Sequence, residues 1–315
     1  MNNPKVTIAT ITYNSSKFVR QTIESVLAQS FTDFEYLISD DCSTDNTWEI
    51  IQEYSDPRIR AWRNDENLTE YPNRNKTLKE AKGEYIIWID GDDIFYPHGL
   101  EFMVKMLNAF PNSAMACARP YWPNIIYPYE LTPVETFRYE FLGSPVLVNG
   151  FPDTLFRTEN LRKAGGLPED LIAGDTFAKR KVGLNWNTLL ISKDVSWWRR
   201  TPGQASSLLN TIEGVRENYF KSLEILNDEL MPLNPKEKKT AIENLDQGIL
   251  KFIAKNFLFK GKVYKAYKEY KFLNRSKPLH FKLLFKKREF YLSGSSTDPL
   301  FSGFYKNPFL QNGYK

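Results

Sequence analysis

Residues 5–12, Lys-Val-Thr-Ile-Ala-Thr-Ile-Thr, are rich in β-branched side chains and predict a first strand. It stops at a polar turn, residues 13–16, that offers helix N-caps. Apolar positions 18, 19, 23, 26 and 27 then follow helical spacing. Residues 34–39 predict a second strand, and a helix opens after Cys42 and runs to about Tyr54. Residues 58–63 read as a short third strand, and residues 73–82 as a helix with Gly83 as its C-cap. The nearly continuous apolar run 85–89 predicts a buried fourth strand. The order β-α-β-α-β-α-β implies parallel strands with helical crossovers, an α/β Rossmann-like class.

Two of these strands end in acids. Asp40 and Asp41 follow the second, and Asp90, Asp92 and Asp93 follow the fourth. Clustered carboxylates repel and desolvate one another. A divalent cation, with the phosphates it carries, makes such a cluster tolerable. A single acidic strand end is often a helix cap, but two on one sheet edge point to a shared ligand beyond the carboxyl ends. Tyr13, at the end of the first strand, reads either as core or as a stacking face for a nucleobase. Arg74 reads either as a solvated helix charge or as a reach to a planar anion.

Residues 110–150 read as loop-rich, interrupted by Pro111, Pro120, Pro123, Pro128, Pro133 and Pro145. Long loops on a rigid scaffold shape or cover a site. Residues 153–157 then predict a strand and residues 158–163 a capped helix ended by Gly165 and Gly166. A further helix starts near Asp175 and closes at Gly183. Asp175 is either a plain N-cap or a carboxylate held ionised by the helix dipole and able to take a proton.

Composition narrows the classes. The 315 residues hold 42% hydrophobic content, and no run approaches 18 apolar residues, so no membrane span is expected. A strand begins almost at Met1, leaving no room for a signal peptide, and the two cysteines fit a reduced cytosolic setting. His98 and His280 lie too far apart in sequence to suggest a His-based site. The net charge of +4 hides an asymmetry, because residues 251–290 carry thirteen Lys/Arg against two acids. Ten aromatics interleave these cations, a pattern that suits an anionic membrane surface or a solvated basic face. No recognition motif accompanies the charge, so nucleic acid is not expected. Helical stripes at 215–230, 234–253 and 263–270 predict an α-helical extension whose apolar faces are core.

Several ordered motifs together resemble the family 2 glycosyltransferases with a GT-A fold. They are Val6-Thr-Ile-Ala-Thr-Ile-Thr-Tyr-Asn14, Gln29-Ser-Phe-Thr-Asp-Phe-Glu35 and Ser39-Asp-Asp-Cys-Ser-Thr-Asp-Asn-Thr47. Asp56-Pro-Arg-Ile-Arg60, Ala81-Lys-Gly-Glu-Tyr85 and Asp90-Gly-Asp-Asp93 continue the series, with Lys163-Ala-Gly-Gly-Leu and Arg200-Thr-Pro-Gly-Gln farther on. The resemblance spans roughly residues 4–207. It implies that Thr12, Tyr13, Asn14, Asp40, Asp41, Arg74, Asp90 and Asp92 bind the donor nucleotide. Tyr13 would pack on the base and Asp41 accept its ring N–H. Asp90 and Asp92 match the D-x-D element. Members with a shortened motif use the last two carboxylates, which would give the metal, Mn²⁺ or Mg²⁺, to Asp92 and Asp93. Asp175 matches the catalytic base, and Trp198 and Arg200 lie in a closing region near acceptor or diphosphate.

The resemblance therefore implies inverting, non-processive transfer from a nucleotide-sugar, with uridine the family's habit, to a glycan or lipid-linked acceptor in surface polysaccharide synthesis. The expected location is the cytoplasm, with the inner membrane face as docking surface for residues 251–290. The implied division is a transferase domain at 1–211, with nucleotide half 1–110 and acceptor half 111–211. A basic helical extension at 212–292 and an irregular tail at 293–315 follow. Two departures stand out: Thr69 replaces a family glycine, and Gly174 replaces a glutamate before the base. A sugar nucleotidyltransferase would place glycines after the first strand, where this chain has Thr12-Tyr-Asn-Ser-Ser. A non-catalytic scaffold would have no need of Asp41, Asp90, Asp92 and Asp175.

Overall fold

The computed structural model describes residues 3–119, 125–201, 204–276 and 280–285. Strands β1 (Val6–Thr12), β2 (Phe34–Asp40), β3 (Ile59–Arg63) and β4 (Tyr85–Trp88) are joined through helices α1 (Val19–Leu27), α2 (Thr47–Gln52) and α3 (Glu70–Glu80). The short β5 (Ile94–Phe95), α4 (Gly99–Ala109), β6 (Ser113–Arg119), β7 (Tyr129–Leu131) and α5 (Pro133–Leu142) follow. Then come β8 (Thr154–Arg157), α6 (Thr158–Lys163), α7 (Gly174–Asn185), β9 (Asn187–Ser192) and β10 (Ser196–Trp197). Three more helices close the described chain: α8 (Ile212–Leu226), α9 (Pro235–Ile253) and α10 (Val263–Ser276).

Eight strands form one sheet in the order β3-β2-β1-β4-β8-β6-β9-β7. β1 to β4 pair in parallel, as the alternating pattern predicts. β8 runs antiparallel between β4 and β6, whereas β6 and β9 are parallel. The strands ending at Thr12, Asp40, Trp88, Arg119 and Ser192 therefore point the same way, and their carboxyl ends share one edge. Both faces of the sheet are covered. Ile8, Ile38 and Ile87 pack against α1 and α4 on one side; Ala9, Leu37, Ile86 and Trp88 meet α3, α6 and α7 on the other.

The centre of the chain is more ordered than its prolines suggest. β6, Ser-Ala-Met-Ala-Cys-Ala-Arg, buries all but its last residue without help from β-branched side chains. Pro133 begins α5 rather than breaking it, and Thr132 with Glu135 makes a capping box. Two glycines expected to close helices do not end them. Gly83 leaves the C-cap to Ala81, and a Cβ on it would lie 2.3 Å from the Thr7 nitrogen. Gly183 sits inside α7, which runs on to Asn185.

The helical extension continues the core. Ile225, Leu226 and Ala241 of α8 and α9 pack against Phe137, Phe141, Phe177 and Leu184 of α5 and α7. A second cluster joins α8 and α9 to Ala266 and Leu273 of α10. Residues 281–285 form a 3₁₀ turn. Residues 286–290 of the basic segment, the expected tail 293–315, Pro120, Pro123 and Gly203 lie outside the described residues. Among the described residues no helix is long and apolar enough to cross a membrane.

Candidate active site

A cavity of about 1380 Å³ opens over the carboxyl edge of the sheet. Thr12, Tyr13, Asn14, Asp41, Arg74, Asp90, Asp92, Asp93, Asp175 and Trp198 all line it. Asp40 lies beneath this surface, and Arg200 stands behind Trp198 with its guanidinium 5.4 Å from the indole.

The two acids after β2 have different surroundings. Asp40 is fully buried, and its Oδ1 accepts bonds from Thr12 Oγ1 (3.0 Å) and Ser43 Oγ (2.5 Å). Its Oδ2 accepts the Ser43 N–H and lies 3.5 Å from Arg63 Nε. That carboxylate ties together the turns that shape the edge. Asp41 borders the cavity, where its Oδ1 accepts Asn64 Nδ2 (2.8 Å) and the Leu68 N–H (2.9 Å). Tyr13 stands half exposed at the rim.

Backbone strain gathers here as well. Asn14, Cys42 and Thr69 all adopt positive φ, at 51°, 62° and 71°. Thr69, with ψ 173°, sits in a region that glycine alone visits readily. The position where the family has glycine thus keeps the glycine backbone, now carried by a β-branched residue.

Arg74 is almost fully buried, and its guanidinium lies 4.2 Å from the Phe151 ring. Nη2 donates to Asp90 Oδ1 (2.6 Å) and to Glu70 Oε1 (3.2 Å), while Nε and Nη1 have no partner. Burial pushes the Glu70 carboxyl up, against the pull of Arg74. Asp92 Oδ2 accepts from Gln204 Nε2 (3.0 Å) and Thr201 Oγ1 (3.3 Å). Burial and then the Asp90 charge push its carboxyl above the ordinary range. Asp93 is buried and accepts the Arg199 N–H at 2.9 Å; burial, followed by Asp90, pushes it up to about 8. Such mutual repulsion is the electrostatic condition a cation relieves. Among the described residues, however, no three His, Cys, Asp or Glu side chains converge as a ready-made metal site. The donor set suits a cation that takes its remaining oxygens from phosphate and water.

Asp175 is the second residue of α7, and its Oδ2 lies 3.2 Å from the buried Lys179 Nζ one turn on. Lys179 also donates to the Asn149 carbonyl. The turn before α7 is fastened from two sides. The Gly174 N–H donates to Tyr71 Oη (2.8 Å), and Glu217 of α8 accepts the Ile172 and Ala173 N–H groups. Gly174 is required there, since a Cβ would lie 2.6 Å from the Tyr71 ring.

Sequence reasoning passed over Glu70, Tyr71, Phe151, Lys179, Arg199 and Gln204. The i,i+4 spacing of Asp175 and Lys179 was a readable signal. Nothing in Trp197-Trp-Arg-Arg-Thr201 says that Arg199, rather than Arg200, spans Asp92 and Asp93.

An α/β sheet with its acidic edge on a large cavity, extended by C-terminal helices, has the architecture of GT-A glycosyltransferases. Residues 7–163 match the model of glycosyl transferase family 2, and the chain belongs to that family. Over 261 residues it is 23% identical to the poly(ribitol-phosphate) β-N-acetylglucosaminyltransferase TarS of Staphylococcus aureus, covering 81% of this chain and 44% of that protein. It is 36% identical over 107 residues to the Escherichia coli glucosyltransferase WfgD, which acts on α-D-GlcNAc-diphosphoundecaprenol, covering 34% of this chain and 42% of the relative. The chain spans less than half the length of the curated relatives it matches. The crystal structure of S. aureus TarS 1-349 with UDP-GlcNAc superposes with a TM-score of 0.68 at 22% identity, covering 89% of this chain and 82% of that one. The Pyrobaculum calidifontis mannosyltransferase PcManGT, solved with GDP-Man and Mn²⁺, gives 0.58 at 16%, covering 90% and 84%. At these identities the structural likeness concerns the fold.

Proposed function

We propose that the protein transfers a sugar from a nucleotide-sugar, of the UDP class, to a hydroxyl of a glycan or lipid-linked saccharide, with inversion at the anomeric carbon. The observation that carries this reading is that the donor-side acids Asp41, Asp90 and Asp92 and the acceptor-side Asp175 border one continuous cavity. Tyr13 offers the base a stacking face, and Asp41 offers a carboxylate for a ring N–H. Arg74, fixed on Asp90, brings a positive charge to the diphosphate region. Asp92, with Asp93 or Asp90, would hold Mg²⁺ or Mn²⁺, which would neutralise charge on the departing diphosphate. Asp175 takes the proton of the attacking hydroxyl. Attack on the face opposite the leaving group turns an α-linked donor into a β-linked product.

The lysines and exposed aromatics around α10, among them Phe259, Tyr264 and Tyr267, suit an anionic bilayer. A cytoplasmic enzyme could meet a lipid-linked acceptor there. The reading is tested by a thermal-shift panel of nucleotide-sugars with Mn²⁺, since ligands that bind only the native state raise its apparent stability. A UDP-sugar is expected to stabilise the protein more with the cation than without it; no response to any nucleotide would overturn the assignment.

A further inference from the structure

Two cations stand on the acceptor side of the cavity without an ion-pair partner among the described residues. Arg119 ends β6 and Lys193 immediately follows β9. These strands are parallel neighbours, with Arg119 opposite Ser192, and the Lys193 N–H donates to the Arg119 carbonyl at 2.8 Å. Both side chains line the cavity. Other cations nearby are paired, Lys179 with Asp175 and Arg180 with Glu140. Arg119 instead donates from Nη2 to the Pro145 carbonyl (2.8 Å), and its buried Nε has no partner. Among the described residues neither Arg119 nor Lys193 makes an ion pair. Asp153, which also lines the cavity, is the acid that faces them, but among the described residues it forms no direct ion pair with either. Burial pushes its carboxyl up, Ser196 donates to it, and Lys193, Lys179 and Arg119 only partly oppose the shift.

Their position separates them from the donor. β6 lies two places from β4 and four from β2 in the sheet. At roughly 4.8 Å per strand, Arg119 is set about 10 Å across from the strand leading to Asp90 and about 19 Å from that ending at Asp40. The donor end holds Asp41, Glu70, Asp90, Asp92 and Asp93 against Arg74 and Lys17, so it is acidic, whereas this rim is basic. Beside the rim, Val148 and Trp198 expose apolar surface on which a sugar ring can lie.

We propose that Arg119 and Lys193 form an anion subsite that recognises a phosphate carried by the acceptor, seated close to the hydroxyl that Asp175 deprotonates. The guanidinium supplies directed N–H donors from Nη1, and the ammonium adds a mobile charge. Either the diphosphate of a lipid carrier or the phosphodiester backbone of a polymer would present this group. The proposal rests on the glycosyltransferase reading, and deepens it by naming an acceptor class.

The experiment uses the full chain with its donor site filled by UDP and Mn²⁺. Four probes are titrated by calorimetry: phenyl phosphate, a glycerol phosphodiester oligomer, farnesyl diphosphate in neutral micelles, and uncharged phenyl glucoside. Wild type is expected to bind at least one phosphate probe at least tenfold more tightly than the glucoside, with affinity falling as salt rises. Tighter binding of the phosphodiester oligomer identifies a polymer acceptor; tighter binding of farnesyl diphosphate identifies a lipid carrier. Lys193→Gln, at an exposed position that cannot threaten folding, is expected to weaken the favoured probe at least threefold. Arg119→Gln combined with it should weaken that probe at least tenfold, with UDP affinity unchanged in both variants. Equal binding of charged and uncharged probes by wild type, or unchanged phosphate affinity in both variants, would overturn the subsite. Loss of UDP binding by wild type would instead sink the donor reading, leaving the phosphate titrations without UDP to decide the subsite.

Discussion

The Tyr71 hydroxyl accepts the Gly174 N–H at 2.8 Å and also lies 3.3 Å from the Ile172 carbonyl, fastening α3 to the first turn of α7. One helix thereby holds both ends of the cavity, because Arg74, three residues after Tyr71, grips Asp90. Tyr71→Phe leaves a buried N–H unpaired and should cost about 1–3 kcal/mol in chemical denaturation. Because the loosened turn carries Asp175, kcat should fall more than donor affinity. An equal loss in both would show that the bond serves stability alone.

Thr69 is strained for its residue type. Thr69→Gly should stabilise the protein by about 1 kcal/mol, because relief of a backbone held at φ 71°, ψ 173° exceeds the entropy that glycine adds to the unfolded chain. Paired denaturation curves read this directly. A destabilised variant would mean that the threonine side chain makes up for the strain.

Asp175→Asn keeps the shape of the carboxylate and removes its basicity. Turnover should fall by about 10²–10⁴-fold, the usual contribution of a general base, with UDP affinity unchanged. Near-wild-type turnover would move the base elsewhere in the cavity.

Asp92→Ala separates metal-dependent from metal-independent binding. Wild type should bind UDP more tightly with Mn²⁺ than with EDTA, and the variant should show the same weak binding in both. Calorimetry that detects a persisting Mn²⁺ effect would take the cation away from Asp92.

The ion pair between Lys181 of α7 and Asp228 just after α8, at 2.8 Å, makes stability pH-dependent. The hydrogen bond from Lys181, with a smaller one from the Leu230 N–H, holds the Asp228 carboxyl below its ordinary value. A depressed folded value means that the unfolded chain binds more protons in acid. The stabilisation is therefore present above the unfolded carboxylate range, near pH 4, and is lost as pH falls through the folded value. Asp228→Asn should lower Tm at pH 7 and flatten the acid limb of a Tm-against-pH curve. An unchanged limb would show that the pair contributes nothing.

The four parallel strands and their crossovers were legible because each short-range period repeats without interruption. Their acidic ends were legible because buried apolar runs seldom stop in carboxylates. The middle of the chain was not. β6 has small side chains and no strand-like run, and it becomes a strand because β8 and β9 bond to it on either side. Gly83 resembled a helix stop, but its role depends on the close approach of the Thr7 backbone, 76 residues away in sequence. The arginine pair at 199 and 200 carries no local cue to which one turns inward.

Local pattern thus determined the succession of parallel strands and helices in the nucleotide half, the helical stripes, and the acids that such a sheet sets at its edge. These follow from hydrophobic period and charge repulsion, which act between near neighbours in the chain. Only the tertiary structure decided that Asp40 is a buried clamp while Asp41 faces the cavity, that Tyr71 holds the turn before Asp175, and that Arg119 and Lys193 meet at one rim. Those relations join residues from separate elements, and their energies come into being only when packing brings the groups within hydrogen-bond or Coulomb reach.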